Sequence, residues 1–223
     1  MQRILIGTPT IDSKVSTGYL NTILSLNSIG PDKYQFPVFT LNGNSSIDDA
    51  RSQIASVFLD SPFDYLFFLD SDVEVRNIDV KRILEADKDI IGIPVLRKNY
   101  VSPSLNIGNP LSDPTDGIVE VDGISTSALL IRRNVFEAFK DSPTYTNKNV
   151  INNSSFPVPL FYAIFHSGVV NGNYTHEDYM FCKDARNKGF KVHALMDAKT
   201  VHHGTVPFVY EHKSEPKLPF SMA

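Results

Sequence analysis

The first hundred residues alternate between two hydrophobic periods. Runs that are apolar at successive positions occupy residues 3–7, 36–41, Tyr65–Leu69 (YLFFL) and 89–95 (DIIGIPV). Between them the apolar residues recur at helical spacing. Leu20, Ile23, Leu24 and Asn27 share one face of a helix predicted over 17–29, which Gly30-Pro31 stops. Ile47, Ala50, Ile54, Val57 and Phe58 mark a second helix, with Ser46 at its N-cap. A short third helix is expected over 78–86. Strands that are apolar throughout, separated by helices, imply a parallel sheet covered on both faces. Ligands of such sheets bind beyond the carboxyl ends of the strands. The turns at Thr8-Pro9-Thr10, Asn42-Gly43-Asn44 and Asp70-Ser71-Asp72 are therefore expected along one edge.

The second half is less regular. Residues 124–131 (ISTSALLI) read as a strand, followed by a helix over 134–140. The stretch 141–159, rich in Asn, Ser, Thr and Pro, predicts the longest loop. A helix is expected over 176–188, ended by a left-handed Gly189. A strand over 190–196 follows, and the chain after Pro207 reads as irregular. No repeat and no linker interrupts the pattern, so one domain is expected over 1–223.

Composition narrows the class. The 223 residues are 42% hydrophobic and 21% charged, values of a globular chain rather than a disordered, collagenous or coiled-coil one. Twenty-one basic residues against 25 acidic ones give a net charge of -4, which argues against a nucleic-acid partner. A single cysteine, Cys182, excludes an intrachain disulfide and a cysteine-built zinc site. The apolar run at 4–7 is too short for a signal sequence, and no stretch reaches the roughly 18 residues of a membrane helix. A cytoplasmic protein without a transmembrane segment is expected. The glycosylation sequons at Asn44, Asn153 and Asn173 then read as chance matches in polar loops.

Three short motifs carry candidate chemistry. Asp70-Ser71-Asp72 closes the YLFFL strand, and in an extended segment residues i and i+2 face the same way. Two carboxylates at one strand mouth suit a hard cation that also holds phosphates, or a polar turn with an aspartate as cap. Thr175-His-Glu-Asp178 opens the later helix. It fits a capping box, and it also fits an acid kept ionised as a general base. Val201-His-His-Gly204 follows the last strand, where an imidazole could complete a carboxylate metal site. Cys182, between Phe181 and Ala185 on the same helix, reads as core. Phosphate-loop, dinucleotide-fingerprint, nucleophile-elbow and zincin motifs are absent from the sequence.

The ordered set resembles the GT-A class of nucleotide-sugar glycosyltransferases. It comprises D-S-D after a buried strand, H-E-D-Y-M-F-C-K-D-A-R-N-K-G-F-K-V, then H-H-G. The stretch 121–136 (VDGISTSALLIRRNVF) is similar to the acceptor-side strand and helix of those enzymes. The compact size is reminiscent of transferase domains from large DNA viruses or phages, which would place the protein in the host cytoplasm. The resemblance implies an α/β fold with a Rossmann-like, mixed but mainly parallel sheet flanked by helices. It implies a nucleotide-binding half over about 1–100, an acceptor and catalytic half over about 101–206, and a tail over 207–223.

It also assigns roles. Thr8, Pro9 and Thr10 would receive the nucleobase and ribose, with Arg51 near the nucleotide. Asp70 would approach the ribose, with Ser71 beside it. Asp72, with Asp70 and His202, would hold Mn²⁺ or Mg²⁺, His203 being the alternative imidazole. Asp178 would be the catalytic base, Glu177 a contact to sugar or acceptor, and Asp122 a neighbour of the donor sugar. The implied partners are a nucleotide-sugar donor, UDP-linked for preference, and a glycan or glycoprotein acceptor. The expected reaction is metal-dependent sugar transfer with inversion. The alternatives are a retaining enzyme of the same fold, a non-catalytic nucleotide- or carbohydrate-binding module, and a phosphotransferase using Asp70 as nucleophile. The last is disfavoured because the chain reads D-S-D-V-E rather than D-x-D-G-T.

Overall fold

The computed structural model describes residues 1–99, 104–146 and 160–211. In chain order the elements are β1 (Gln2–Thr10), α1 (Thr17–Leu26), β2 (Tyr34–Gln35), β3 (Val38–Asn42), α2 (Ile47–Leu59), β4 (Tyr65–Leu69), β5 (Val73–Val75) and α3 (Asn77–Glu85). They continue with β6 (Ile90–Gly92), β7 (Ile118–Val121), β8 (Ala128–Arg132), α4 (Arg133–Glu137), β9 (Thr144–Tyr145), β10 (Phe161–Tyr162), β11 (Gly168–Val170) and β12 (Asn173–Thr175). The last elements of the described residues are α5 (Glu177–Asn187), β13 (Val192–Leu195), β14 (Lys199–His202) and β15 (Phe208–Glu211).

The main sheet has the order β2-β1-β4-β8-β6-β13-β7, with β3 continuing the β2 edge against β1. β1, β2, β3, β4, β6 and β13 run one way, while β8 and β7 run against them. The expected mixed, mainly parallel sheet is present. Successive residues of a strand feed opposite faces, which is why YLFFL needs no polar position. Leu66 and Phe68 pack under α2, α4 and α5, whereas Tyr65, Phe67 and Leu69 pack under α1 and α3. Phe181 of α5 stacks on Phe136, Phe139 and Phe165, which seats that helix firmly on its face. Arg133 reaches back to the carbonyls of Phe58, Leu59, Ser61 and Phe63. It thereby ties the end of α2 and the loop after it to the start of α4.

Several expectations shift. The buried face of α1 is Tyr19, Thr22 and Leu26, while Leu20 and Leu24 are 48% and 63% exposed. Tyr19 wins the inner position because its hydroxyl has a buried partner, Thr8 Oγ1, at 2.8 Å. Ser46 stands at the α2 N-cap, but its hydroxyl bonds the Asp48 side chain instead of the backbone. The strand read over 124–131 begins only at Ala128, the preceding segment being a loop tied to residues 106–109. The helix after it is shorter than read, Arg133–Glu137. The 141–159 loop contains a strand, β9, and its residues 147–159 lie outside the described ones. The stretch after Pro207 is not irregular at first: β15 pairs antiparallel with β14. Gly189 takes the left-handed conformation at φ 93°, ending α5 as expected.

Gly7 shows how tightly β1 is enclosed. A Cβ there would lie 2.6 Å from the Ile54 Cγ2 methyl and 2.9 Å from Leu66 Cδ1. Ile54 is β-branched and fully buried, so it has little room to give. Gly7→Ala is expected to cost about 1–3 kcal/mol through overpacking. A urea midpoint equal to that of the wild type would refute that packing.

Candidate active site

The carboxyl ends of β1, β3 and β4 meet at one edge, with Thr10 level with Asn42 in the β1–β3 register. A cleft of about 320 Å³ opens there, lined by Pro9, Thr10, Asn44, Ser45, Asp70, Ser71, Asp72 and His202 among others. Thr8 is not on its wall: its hydroxyl points inward to Tyr19. Thr10 is buried, and its Oγ1 has no hydrogen-bond partner among the described residues.

Asp70-Ser71-Asp72 is a turn and not an extended segment, since Val73 N–H donates to the Asp70 carbonyl at 3.0 Å. The two carboxylates line one cleft but have different partners. Asp70 accepts from Arg51 Nη2, with Oδ1 at 3.1 Å and Oδ2 at 3.4 Å. Asp72 is paired with Lys98 Nζ and lies 3.4 Å from His202 Nε2. Burial pushes the Asp72 carboxyl up, but the hydrogen bonds and charges of His202 and Lys98 outweigh it and hold it at about 2.

Strand pairing brings His202 here. β14 lies antiparallel to β5 with His202 level with Val73, the residue after Asp72. His203 N–H donates to the Asp72 carbonyl at 2.7 Å, while the His203 ring turns away to Glu74 Oε2 at 2.9 Å. Of the two histidines, only His202 faces Asp72. His202 Nδ1 is 2.8 Å from the Leu96 carbonyl, which only accepts, so Nδ1 carries hydrogen and Nε2 is the ring nitrogen left to face Asp72 Oδ1. That contact is repulsive unless a proton or a metal ion lies between the two groups. A carbonyl-anchored imidazole beside a carboxylate fits a divalent cation. Among the described residues, no three His, Cys, Asp or Glu side chains converge as a complete metal cluster.

A second, larger cleft of about 730 Å³ lies beyond Arg51. Arg51, Arg97, Asn106, Ser127 and Tyr179 line it together with residues 174–178. Arg51 stands between the clefts, only 5% exposed, with its Nε 3.6 Å from Glu177 Oε1. That distance makes an ion pair but not a hydrogen bond. Arg51 Nε and Nη1 therefore have no hydrogen-bond partner among the described residues.

Glu177 and Asp178 are both buried, and burial pushes both carboxyls above the usual range against the opposing charge of Arg51. The capping-box reading of Thr175 does not hold. The N-cap of α5 is His176, without a side-chain cap, and Thr175 Oγ1 bonds the Asn173 carbonyl instead. Asp178 Oδ1 accepts the Tyr179 N–H at 2.8 Å, which orients the carboxyl at the first turn of α5. Asp122 is not on this wall. Its carboxylate is held by Asn109, through the backbone N–H and the side-chain amide, both at 2.7 Å. Cys182 is fully buried, and burial pushes its thiol up to about 12, as befits a core residue.

Lys98, Arg97, Asn106, Ser127, Tyr174 and Tyr179 were not singled out from the sequence. Arg97-Lys98 had a usable signal, being a basic pair just past the carboxyl end of the 89–95 run, on the edge where ligands bind.

The αβα arrangement, with this strand order and an open carboxyl edge, is that of the GT-A glycosyltransferase fold. The chain superposes on A197 from STIV with a TM-score of 0.61 and 16% identity, over 98% of this chain and all of that one. It superposes on GalNAc-T7, solved with UDP, GalNAc and Mn²⁺, with a TM-score of 0.53 and 11% identity. That match covers 90% of this chain and 43% of GalNAc-T7, so the chain spans less than half of the larger protein. No family model and no curated protein matches the sequence. What these proteins share is the fold. None of the described helices is long and apolar enough to cross a membrane.

Proposed function

We propose that the chain is a glycosyltransferase. It moves a sugar from a nucleoside-diphosphate sugar, UDP-linked for preference, to a hydroxyl of a glycan or other acceptor, with inversion. The observation that carries this reading is the adjacency of two sites across Arg51. On one side Asp72 and His202 face each other, and on the other Glu177 and Asp178 line a roomy cleft. Asp72 and His202 would hold Mn²⁺ or Mg²⁺, whose remaining positions suit diphosphate oxygens and water. When bound, the cation stabilises the negative charge that develops on the departing diphosphate.

The chain's own groups supply the rest. Thr10, Pro9 and Asn44 offer a floor for the nucleoside. Lys98, paired with Asp72, stands where phosphate charge would lie. Asp70 holds Arg51 from one side and Glu177 from the other, so the guanidinium is fixed between the two clefts. The acceptor oxygen bonds to the anomeric carbon as the carbon–oxygen bond to phosphate breaks. The acceptor proton passes to Asp178, whose orientation the Tyr179 N–H sets. Glu177 is neutralised by Arg51, which leaves Asp178 as the better base. An Asp70 nucleophile is not supported, because Arg51 already occupies both its oxygens.

Calorimetry with UDP, GDP and TDP, in Mn²⁺ and again with chelator, tests the reading. UDP is expected to bind in Mn²⁺ and to lose most of its affinity with chelator or in Asp72→Ala. If no nucleotide binds in a metal-dependent manner, the reading fails.

A further inference from the structure

The cleft at Glu177 and Asp178 continues onto a surface that a donor nucleotide does not need. Hairpin β11–β12 turns through Asn171 and Gly172 at φ 50° and 79°, the paired positive values of a tight hairpin turn. Val169 and Tyr174 stand directly opposite each other in this hairpin, 71% and 65% exposed. Neither contributes to the core, and paired large apolar side chains in the open call for a ligand or partner. Tyr174 also lines the cleft, and only two residues separate it from Glu177. Its ring meets the His176 imidazole edge-on, with centroids 5.1 Å apart and planes at 82°, which steadies the ring at the rim.

The remaining lining is polar. Asn106 takes a hydrogen bond from the Tyr179 hydroxyl at 3.3 Å, and Ser127 and Arg97 stand on the same wall. Arg51, almost wholly buried and ion-paired with Glu177, forms part of the same wall. At about 730 Å³ the cleft has more room than one monosaccharide fills.

We propose that the hairpin is the acceptor subsite and that it takes a pyranose of a neutral glycan. The apolar face of the sugar ring lies on Tyr174 beside Val169. Its hydroxyls reach Asn106, Ser127 and Arg97, and the attacking hydroxyl meets Asp178. An exposed aromatic ring next to a few fixed polar groups is the chemistry that recognises a sugar. Two arginines, Arg51 and Arg97, balance two carboxylates, Glu177 and Asp178, in the cleft wall, which suits a neutral acceptor. The proposal rests on the glycosyltransferase reading above and extends it to the acceptor class.

The test is saturation-transfer NMR on the full chain with UDP and diamagnetic Mg²⁺ present. The probes are the methyl glycosides of glucose, galactose, mannose and N-acetylglucosamine. At least one is expected to receive saturation. Tyr174→Ala should weaken that binding about tenfold, and Tyr174→Phe by no more than about threefold, since the ring face is kept. Melting curves of both variants check the fold, which so exposed a residue should leave intact. If Tyr174→Ala binds the glycoside as well as the wild type, the subsite is wrong. If no glycoside binds while UDP does, the subsite also falls, but the donor reading stands. If none of UDP, GDP and TDP binds, both fall. Tyr174-dependent binding to phosphatidylcholine vesicles without any glycoside signal would make the hairpin a membrane contact and overturn the proposal.

Discussion

Asp178→Asn is expected to lower sugar transfer by about 10²–10⁴-fold, the range a positioned general base supplies. Asparagine keeps the size of the side chain and an oxygen able to accept the Tyr179 N–H, so the turn at the head of α5 is preserved. The nucleotide cleft lies on the far side of Arg51 and Asp70, so UDP affinity should stay within a few-fold of the wild type. Release of UDP and formation of product, measured beside calorimetry, separate the two effects. Loss of UDP binding with retained turnover would reverse the assignment.

The pH profile should agree. Burial raises the Asp178 carboxyl, opposed by Arg51 and by hydrogen bonds at the helix start, with His176 and Glu177 as the nearest other titrating groups. A base must be ionised to work, so a raised carboxyl loses activity as pH falls through a value above the ordinary carboxylate range. The residual activity of Asp178→Asn should lack that acidic limb.

Arg51→Met is expected to destabilise the fold by about 3 kcal/mol, the low end for breaking a buried ion pair, because Asp70 keeps some contact with solvent. The substitution keeps apolar bulk near the Phe68 ring but strips Asp70 and Glu177 of their shared counter-charge. For a chain of this size the loss corresponds to a fall in Tm of roughly 6–12 °C. The sign of its pH dependence follows from linkage. Without Arg51 the Glu177 carboxyl is raised further by burial, so the folded state binds a proton more tightly than the unfolded one. The deficit against wild type should therefore shrink as pH is lowered, and widen toward neutral pH. Arg51→Lys should recover part of the stability but not the transfer rate, because an ammonium cannot serve Asp70 and Glu177 in one plane. A Met variant as stable as wild type at neutral pH would show that the guanidinium does not hold the two sites together.

The residues on either side of Arg51 show what can be read without coordinates. YLFFL and the runs at 3–7 and 89–95 predict buried strands because side chains alternate faces every residue, and a strand covered on both faces has no polar position to offer. The spacing in α2 likewise predicts Ala50, Ile54 and Phe58 as its inner face. In α1 the same spacing selects Leu20 and Leu24, but the helix turns Tyr19 inward, where its hydroxyl and that of Thr8 share a hydrogen bond. Apolar spacing cannot register a single buried hydroxyl pair.

The sequence alone determined the layered α/β order, the edge at which Asp70 and Asp72 sit, and the core role of Cys182. All follow from patterns within a few residues, where backbone geometry leaves few choices. Tertiary structure decided which group each acid meets. Asp72 meets His202 because β14 pairs with β5 in one register and not the next, which also sends His203 to Glu74. Asp70 turns to Arg51 because the Val73 N–H closes a turn where an extended segment was expected. Glu177 meets the same arginine because Phe181 and its aromatic neighbours lock α5 onto the sheet. A shift of one residue in any of these packings would leave the strands and helices intact while separating the site, since strand and helix periods are local and the partners of each charge are not.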